Sequence, residues 1–193
     1  MLNKVKDVAE ISSGLVVSRK KAIHRSELLK EYKQLNLRAI NKNGFLELNE
    51  LENFLAKEII DKNYLTQEGD IIVRLTDPFT AVYITKKYED FVVSSNFCII
   101  RCKKEYDSKF LAYYLNSDKT KKILYSDTKG SIIKNISVES ISKINVPTLD
   151  FDKQVIFGKL FVAQTQKIIL LDKIKELEEK RKKAIFEQLD RTE

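Results

Sequence analysis

The chain has 193 residues, of which 43% are hydrophobic and 33% are charged, a composition typical of a soluble globular protein with a substantial core. No apolar run approaches the roughly 18 residues that a membrane-spanning helix needs, and the first residues lack the apolar stretch of a secretory signal. These features argue against a membrane protein and predict a cytoplasmic location.

The charge is moderately basic, with a formal net charge of +7 and a sequence pI of about 9.2. This excess permits a polyanionic partner without requiring one. Cys98 and Cys102 lie four residues apart in an apolar run, and a single histidine leaves few ligands for zinc. Reduced, buried thiols are therefore expected, and no metal or other cofactor is predicted.

The first predicted elements are strands and turns. Residues 3–11 begin with a short apolar-polar pattern and end at a turn signal, Ser12-Ser13-Gly14. A polar, basic loop is expected at residues 18–25, and residues 32–40 alternate in hydrophobicity as a strand does. The Asn43-Gly44 pair predicts a tight turn after that strand.

A helix is predicted next. Asn49 is a suitable N-cap, and apolar residues recur at helical spacing up to about residue 60. The apolar face of this helix consists of Leu51, Phe54, Leu55 and Ile59. Three β-rich stretches follow, at residues 71–75, 81–85 and 96–102, and they predict a sheet at the centre of the chain.

Helical patterns dominate after the sheet. Asp107 or Ser108 is placed to cap a helix over residues 109–116. Ser137 is a good N-cap for a short helix over residues 138–142. The predicted fold class is therefore α+β, a mixed globular domain with a helix-rich C-terminal part.

A single long helix is predicted to close the chain. From residue 152 to residue 191 there is no proline and only one glycine, Gly158. Apolar residues recur at alternating steps of four and three, which is the seam of a coiled coil. The seam consists of Ile156, Leu160, Ala163, Leu170, Ile174, Leu177 and Ala184, and it is interrupted by Lys167 and Arg181.

The length of this helix favours pairing with another chain. About 40 residues would span roughly 60 Å, too much to be covered by a domain of about 150 residues. The alternative is a long surface helix packed on its own domain. We predict a globular domain over residues 1–150 and a coiled-coil dimerisation helix over residues 151–193.

Five short motifs occur in order along the chain: residues 5–14, residues 69–73 (GDIIV), Gly130-Ser131, residues 144–147 and Asp152-Lys153-Gln154. Together they resemble the DNA specificity subunit of Type I restriction-modification systems. In that family the last motif, acidic-x-Gln, begins the conserved spacer helix. Family members usually carry two recognition domains and two spacer helices, so this chain resembles a half-length form or a fragment.

The resemblance implies a non-catalytic subunit that recognises double-stranded DNA. It would direct a Type I methyltransferase and restriction complex to a bipartite site. The implied partners are duplex DNA, the modification subunits, the restriction subunit, and either a second copy or a different half-subunit. Antiparallel pairing of the helices follows from the resemblance alone, since the seam would equally allow a parallel dimer. A homodimer would read half-sites that are inverted repeats.

Direct readout of bases needs arginine, lysine and polar side chains on loops that can enter the major groove, and phosphate contacts need basic side chains beside them. Two predicted loops combine these groups best, residues 19–25 and residues 129–135. The candidates for DNA contact are Ser18, Arg19, Lys20, Lys21, His24, Arg25, Arg38, Asn41, Arg74, Thr76, Lys86, Lys87, Lys129, Ser131, Lys134 and Asn135. For any one of them the alternative is an ordinary solvated side chain.

Catalytic motifs are incomplete. Thr76-Asp77-Pro78-Phe79 is related to the Asp/Asn-Pro-Pro-aromatic motif of amino-methyltransferases, but Phe79 replaces the second proline and the sequence has no Gly-rich turn for the cofactor. The alternative is a turn between two strands. A nuclease site would combine clustered carboxylates with a lysine. Glu68, Asp70 and Asp77 lie near one another in the sequence, but no lysine lies between them. No enzyme activity is therefore predicted.

Two other function classes remain open. One is an unrelated coiled-coil regulator that binds its operator as a dimer without a methyltransferase. The other is an assembly adaptor that uses the coil and binds no DNA. Steep salt dependence of binding to duplex DNA would exclude the adaptor, because each phosphate contact releases counterions.

Overall fold

The computed structural model describes residues 2–128, 132 and 134–190, and all the elements named here lie in that part of the chain. In chain order they are β1 (Leu2–Lys4), α1 (Val5–Val8), β2 (Ala9–Ser13), β3 (Lys30–Leu35), β4 (Glu52–Ala56), β5 (Ile71–Arg74), β6 (Ala81–Tyr83), β7 (Val92–Val93), β8 (Phe97–Cys102), α2 (Ser108–Leu115), α3 (Asp118–Asp127), α4 (Val138–Ser142), β9 (Asn145–Pro147) and α5 (Phe151–Asp190). Single 3₁₀ turns connect several of them. The predicted α+β class is confirmed.

The central sheet consists of four antiparallel strands in the order β2-β8-β5-β6. Its two inner strands are apolar along most of their length, because both of their faces are covered. Ile71 and Ile100 lie in the core beneath the helices, whereas Ile72 and Ile99 lie in a second core on the other face. The three β-rich stretches predicted from sequence are β5, β6 and β8.

A smaller sheet with the order β4-β3-β7 covers the second core. Here the helix predicted from Asn49 to about residue 60 is wrong: one 3₁₀ turn, Leu48–Glu50, leads directly into β4. The reason is tertiary. β4 pairs antiparallel with β3 along its whole length, and Phe54 is buried against Tyr32 while Leu55 is exposed. Pairing and alternate burial outweigh a helical spacing that occurs by coincidence.

Helices cover the first face of the central sheet. Phe110, Leu111 and Leu115 of α2 are buried against that face. The α2 N-cap is Asp107, whose side chain accepts a hydrogen bond from the backbone N–H of Phe110 at 2.7 Å. The α4 N-cap is Ser137, as predicted. Both helices begin within one residue of the position that their capping residues indicate.

The long helix α5 is confirmed, and it has two different halves. In the first half, Gln154, Gly158 and Phe161 are buried against α2 and its surroundings. From residue 170 to residue 188 every side chain is exposed. The alternative of a helix packed on its own domain thus holds for the first half, while the second half projects away from the core.

Candidate nucleic-acid interface

The first basic loop, residues 17–25, lies along the outer edge of β4. The backbone N–H of Lys57 donates to the Lys20 carbonyl at 3.0 Å, and the N–H of Ala22 donates to the Leu55 carbonyl at 2.8 Å. These bonds fix the loop as an irregular extension of the small sheet. Lys20 is half-buried and pairs with Glu58; the other candidates on the loop are exposed: Ser18, Arg19, Lys21, His24 and Arg25.

Ile23 stands at the tip of this loop and was missed by the sequence reasoning. Its side chain is 84% exposed, and its backbone N–H donates to the Glu27 carboxylate at 2.9 Å. An apolar side chain between basic neighbours can contact a thymine methyl group in a major groove. The signal in the sequence was a single isoleucine between Lys21 and His24.

A second group of candidates meets in one open cleft of about 540 Å³, which Arg38, Asn41 and Arg74 line together. Arg38 pairs with Glu50 at 3.3 Å, yet its side chain remains 75% exposed. The Asn41 amide donates to the Glu47 carboxylate at 2.8 Å. The cleft therefore presents cationic and amide donors that the protein's own carboxylates hold in position.

Arg74 joins this cleft to a turn of four residues, 76–79, here called the Asp77 turn. One guanidinium nitrogen of Arg74 donates to the Asp77 carbonyl at 3.0 Å, and the other approaches the Ile40 carbonyl at 3.5 Å. Partial burial lowers the pKa of Arg74, and the nearby Asp77 carboxylate opposes this shift. The candidates at the ends of β3 and β5 thus belong to one continuous surface.

The Asp77 turn also gathers Thr76, Lys134 and Asn135. The backbone N–H of Asp77 donates to the Lys134 carbonyl at 3.1 Å, and Thr76 forms a β-bridge with Asn135. The Lys134 ammonium lies 5.1 Å from the centre of the Tyr125 ring, where it is held by a cation–π contact.

Tyr125 also lies at this surface, and it was not among the candidates predicted from the sequence. Its hydroxyl donates to the Asp77 carboxylate, and this hydrogen bond, with some burial, raises the pKa of Tyr125 to about 12. Lys121, one turn earlier on α3, lies near the same carboxylate, and burial lowers its pKa. A tyrosine and two lysines around one aspartate could not be recognised from residues so far apart in the sequence.

The remaining candidates lie elsewhere. Lys86 and Lys87 belong to a 3₁₀ turn that ends at Tyr88, and the Lys87 ammonium lies 4.5 Å from the centre of the Tyr88 ring. Lys87 also borders a groove between α5 and the loop before β4. Lys129 and Ser131 lie outside the described residues.

The incomplete catalytic motifs correspond to structural features. Thr76 to Phe79 form the turn between β5 and β6, and the Phe79 side chain is fully buried against Tyr125, with 5.0 Å between the ring centres. Asp70 is buried and bound by the Arg101 guanidinium at 3.0 and 3.2 Å. Burial raises the pKa of Asp70, and Arg101 partly offsets the effect.

Within residues 2–128, 132 and 134–190 no group of three or more His, Cys, Asp and Glu side chains is arranged to hold a metal ion. Cys98 and Cys102 are free thiols that form no disulfide. Burial raises the pKa of Cys98 to about 12 and that of Cys102 to about 11. In the same part of the chain no helix is both long and apolar enough to cross a membrane.

The predicted seam of α5 faces away from the domain. At about 100° of rotation per residue, Ile156 lies roughly opposite Gln154 and Gly158, which are buried on α2. The seam side chains are exposed throughout: Ile156 64%, Leu160 52%, Leu170 60%, Ile174 56% and Leu177 53%, with Ala163 and Ala184 also exposed. The helix therefore has two apolar faces, one buried on its own domain and one in solvent.

These features define a class of protein: an α+β domain with basic surface loops and a projecting helix. The chain matches the family described as "Type I restriction modification DNA specificity domain" over residues 2–185, and it belongs to that family. No protein with a curated description matches it.

Solved structures share the fold at low sequence identity. The HsdS subunit from Thermoanaerobacter tengcongensis superposes with a TM-score of 0.65 at 14% identity, over 91% of this chain and 44% of that one. The S subunit of the Type I restriction-modification system from M. genitalium gives 0.56 at 13% identity, over 92% and 42%. A chain from a study of complex assembly and conformational transition of the type I R-M system gives 0.62 at 15% identity, over 95% and 45%. This chain thus spans less than half the length of each.

Proposed function

We propose that this chain is the DNA-recognition subunit of a Type I restriction-modification complex, acting as a dimer through α5. Membership of the specificity family over residues 2–185 is the observation that carries the proposal. Residues 1–150 would read one half of a bipartite site, and residues 151–193 would join two such readers. Modification and restriction subunits would supply the chemistry, and the chain itself would be non-catalytic.

Two surfaces are proposed to contact DNA. The 17–25 loop offers Arg19, Lys21 and Arg25 for phosphates, with Ile23 at its tip for a base. The cleft and the adjoining Asp77 turn offer hydrogen-bond donors suited to base edges and phosphates, namely Arg38, Asn41, Arg74, Lys134 and Asn135, whereas the Thr76 hydroxyl is buried beneath them. Support comes from their position on loops and strand ends and from the contacts that hold them in place.

The first experiment selects duplexes from a random library with the purified chain and measures their affinity against salt concentration. A bipartite sequence should be enriched, and affinity should fall steeply as salt rises, with a slope near −0.9 for each phosphate contact. An Arg38→Ala/Asn41→Ala variant should bind at least about ten-fold more weakly, as expected when specific contacts are lost. Lys104→Ala, an exposed lysine outside both surfaces, is the matched control.

Failure to enrich any duplex would reject the proposal and favour the adaptor. Enrichment of a site by a chain that captures no methyltransferase subunit from its own cells would favour the dimeric regulator. Capture of a methyltransferase that then modifies the selected site would support the Type I assignment.

Dimerisation through α5 is tested by charge on the seam. Leu170→Glu/Ile174→Glu should give a monomer in sedimentation, because two carboxylates would be buried in the apolar pairing face of each helix. Phe186→Glu is the control, since Phe186 is 55% exposed and lies outside the seam on another face of the same helix. Equal loss of the dimer in both variants would reject this seam as the pairing surface.

A further inference from the structure

The first two turns of α5 are fixed to the domain by a close contact with the start of α2. This contact, here called the joint, consists of Gln154 and Gly158 on α5 and Asp107 at the start of α2. Gln154 is 3% exposed, which is unusual for a glutamine near the start of a surface helix. Its side chain donates to the Leu149 carbonyl at 2.8 Å and accepts from the Asp107 N–H at 3.0 Å. One side-chain amide of α5 thereby binds both the segment just before α5 and the start of α2.

Gly158 marks a close approach between the two helices. A Cβ atom built there would lie 2.4 Å from the Asp107 carboxylate oxygen, 2.8 Å from the Lys109 Cβ and 3.0 Å from the Phe110 nitrogen. The first of these groups is also the N-cap of α2, so it cannot move without breaking that cap. Glycine is a poor residue for a helix interior, and here a side chain has no room.

Aromatic contacts lie on either side of this crossing. Phe157 meets Phe110 with 6.2 Å between ring centres, and Phe161 meets Tyr113 with 5.7 Å. At the other end of α2, Asn116 accepts from the Ala81 N–H at 3.0 Å and donates to the Ala81 carbonyl at 2.7 Å. The joint is thus connected through α2 to β6, the strand that follows the Asp77 turn.

The length of α5 amplifies any change at the joint. The projecting part of the helix runs 20 residues from Leu170 to Asp190, which is a lever of about 30 Å. A tilt of about 10° would move its far end by about 5 Å, more than one base-pair step of about 3.4 Å. In a dimer each half-site reader is carried by such a lever.

We propose that Gln154 and Gly158 are positioning residues that set the number of base pairs between the two half-sites. They determine specificity without touching DNA, because they fix the direction of α5 relative to the recognition surface. The proposal rests on the proposed function. It assigns the preference for a particular gap between the half-sites to this joint, and not only to the length of the helix.

The test compares Gly158→Ala and Gln154→Leu with Val162→Ala, a half-buried residue one turn beyond Gly158 that lines the groove with Leu46 and Val82. The duplexes carry the two half-sites that the unaltered chain selects. The gap between the half-sites ranges from three base pairs shorter to three base pairs longer than the selected gap. The unaltered chain should favour its own gap over neighbouring gaps by about ten-fold, the cost of displacing one half-site contact. Gly158→Ala and Gln154→Leu should shift or flatten that preference to about three-fold or less, while their affinity for a single half-site stays within two-fold.

A second measurement needs no DNA. Spin labels on Lys104→Cys and Glu179→Cys, with Cys98 and Cys102 replaced by alanine and the labelled chain diluted into unlabelled protein, report the direction of α5. The distance distribution should be narrow in the unaltered joint and in Val162→Ala, and shifted or broadened in the two joint variants. A purely stabilising joint would lower the melting temperature and leave both the distance and the preferred gap unchanged, which would overturn the proposal.

The two proposals fail in different ways. If the unaltered chain selects no duplex, the proposed function fails, and the role given to the joint in gap selection fails with it, whatever the labels report. If a bipartite site is selected and the joint variants keep its gap, only the role of Gln154 and Gly158 is wrong.

Discussion

The two halves of α5 have the same secondary structure but different sources of stability. In the first half, Gln154, Gly158 and Phe161 are buried against the protein's own core, and that half belongs energetically to the globular part. In the second half, Leu170, Ile174 and Leu177 are all more than half exposed. An isolated helix of this length gains little from propensity alone, because most helical stability comes from packing.

The difference shows that the boundary between the globular part and the projecting part of the chain does not coincide with the start of the helix. Phe161 lies 10 residues inside α5 and still belongs to the main core cluster. Burial therefore changes along one uninterrupted helix. The first half is held by its contacts with the domain, and the second half presents an apolar surface to solvent.

The largest expected effect separates the halves directly. In the Leu170→Glu/Ile174→Glu background, Phe161→Ala should lower the free energy of unfolding by about 3 kcal/mol, because it removes a buried ring from the core. Leu177→Ala in the same background should change it by less than about 0.5 kcal/mol, since the side chain is exposed in the monomer. Urea unfolding followed by circular dichroism measures both. Equal costs would mean that the two halves do not differ.

A second prediction concerns the globular part alone. Arg101→Leu leaves the buried Asp70 carboxylate unpaired and should cost about 2 kcal/mol at pH 7.5, less than for a fully buried pair because Arg101 is 25% exposed. Arg101→Leu should leave the mass of the dimer, measured by sedimentation, unchanged.

The pH dependence of this variant has a defined sign. Burial holds the pKa of Asp70 above its ordinary value, and loss of Arg101 should raise it further. A carboxyl group whose pKa is raised in the folded state stabilises the fold most at pH values below its pKa in the unfolded chain, about 4. This stabilisation is lost as the pH rises through the pKa of the folded state. The cost of Arg101→Leu should therefore shrink toward pH 4.5. In an Asp70→Asn/Arg101→Leu double variant the cost should not depend on pH over this range.

The smallest effect is expected in the second half of α5. Glu176 pairs with Lys180 one turn later, and the hydrogen bond from Lys180 lowers the pKa of Glu176. A lowered carboxyl pKa stabilises above the unfolded pKa, and the contribution is lost as pH falls through the folded pKa. Because the pair is exposed, Lys180→Ala should change the dimer dissociation constant by about two-fold or less. A change above ten-fold in sedimentation equilibrium would place Lys180 in the pairing surface.

Much of the fold was accessible from local sequence signals. Capping serines and aspartates, alternating strands and the heptad seam are each encoded within a few residues, so the central sheet, α2, α4 and α5 were predicted. The strand β4 was predicted as a helix, because its apolar spacing fits both periods and only pairing with β3 decides between them.

The candidate interface shows the same division. The basic loop was predicted from the sequence at residues 18–25 because its residues are contiguous. The contact of Asp77 with Tyr125 and Lys134 was not, because 48 residues separate Asp77 from its tyrosine partner. The convergence of Arg38, Asn41 and Arg74 on one cleft likewise required the fold.

The sequence by itself determined the class of fold, the long C-terminal helix and the apolar seam along it, because these depend on periodicity and capping within short windows. Only the tertiary structure decided which face of α5 is buried, since both faces carry apolar residues and local periodicity cannot rank them. It also decided that Gly158 lies where two helices touch. Such a contact depends on the path of the whole chain, which no short stretch of residues encodes.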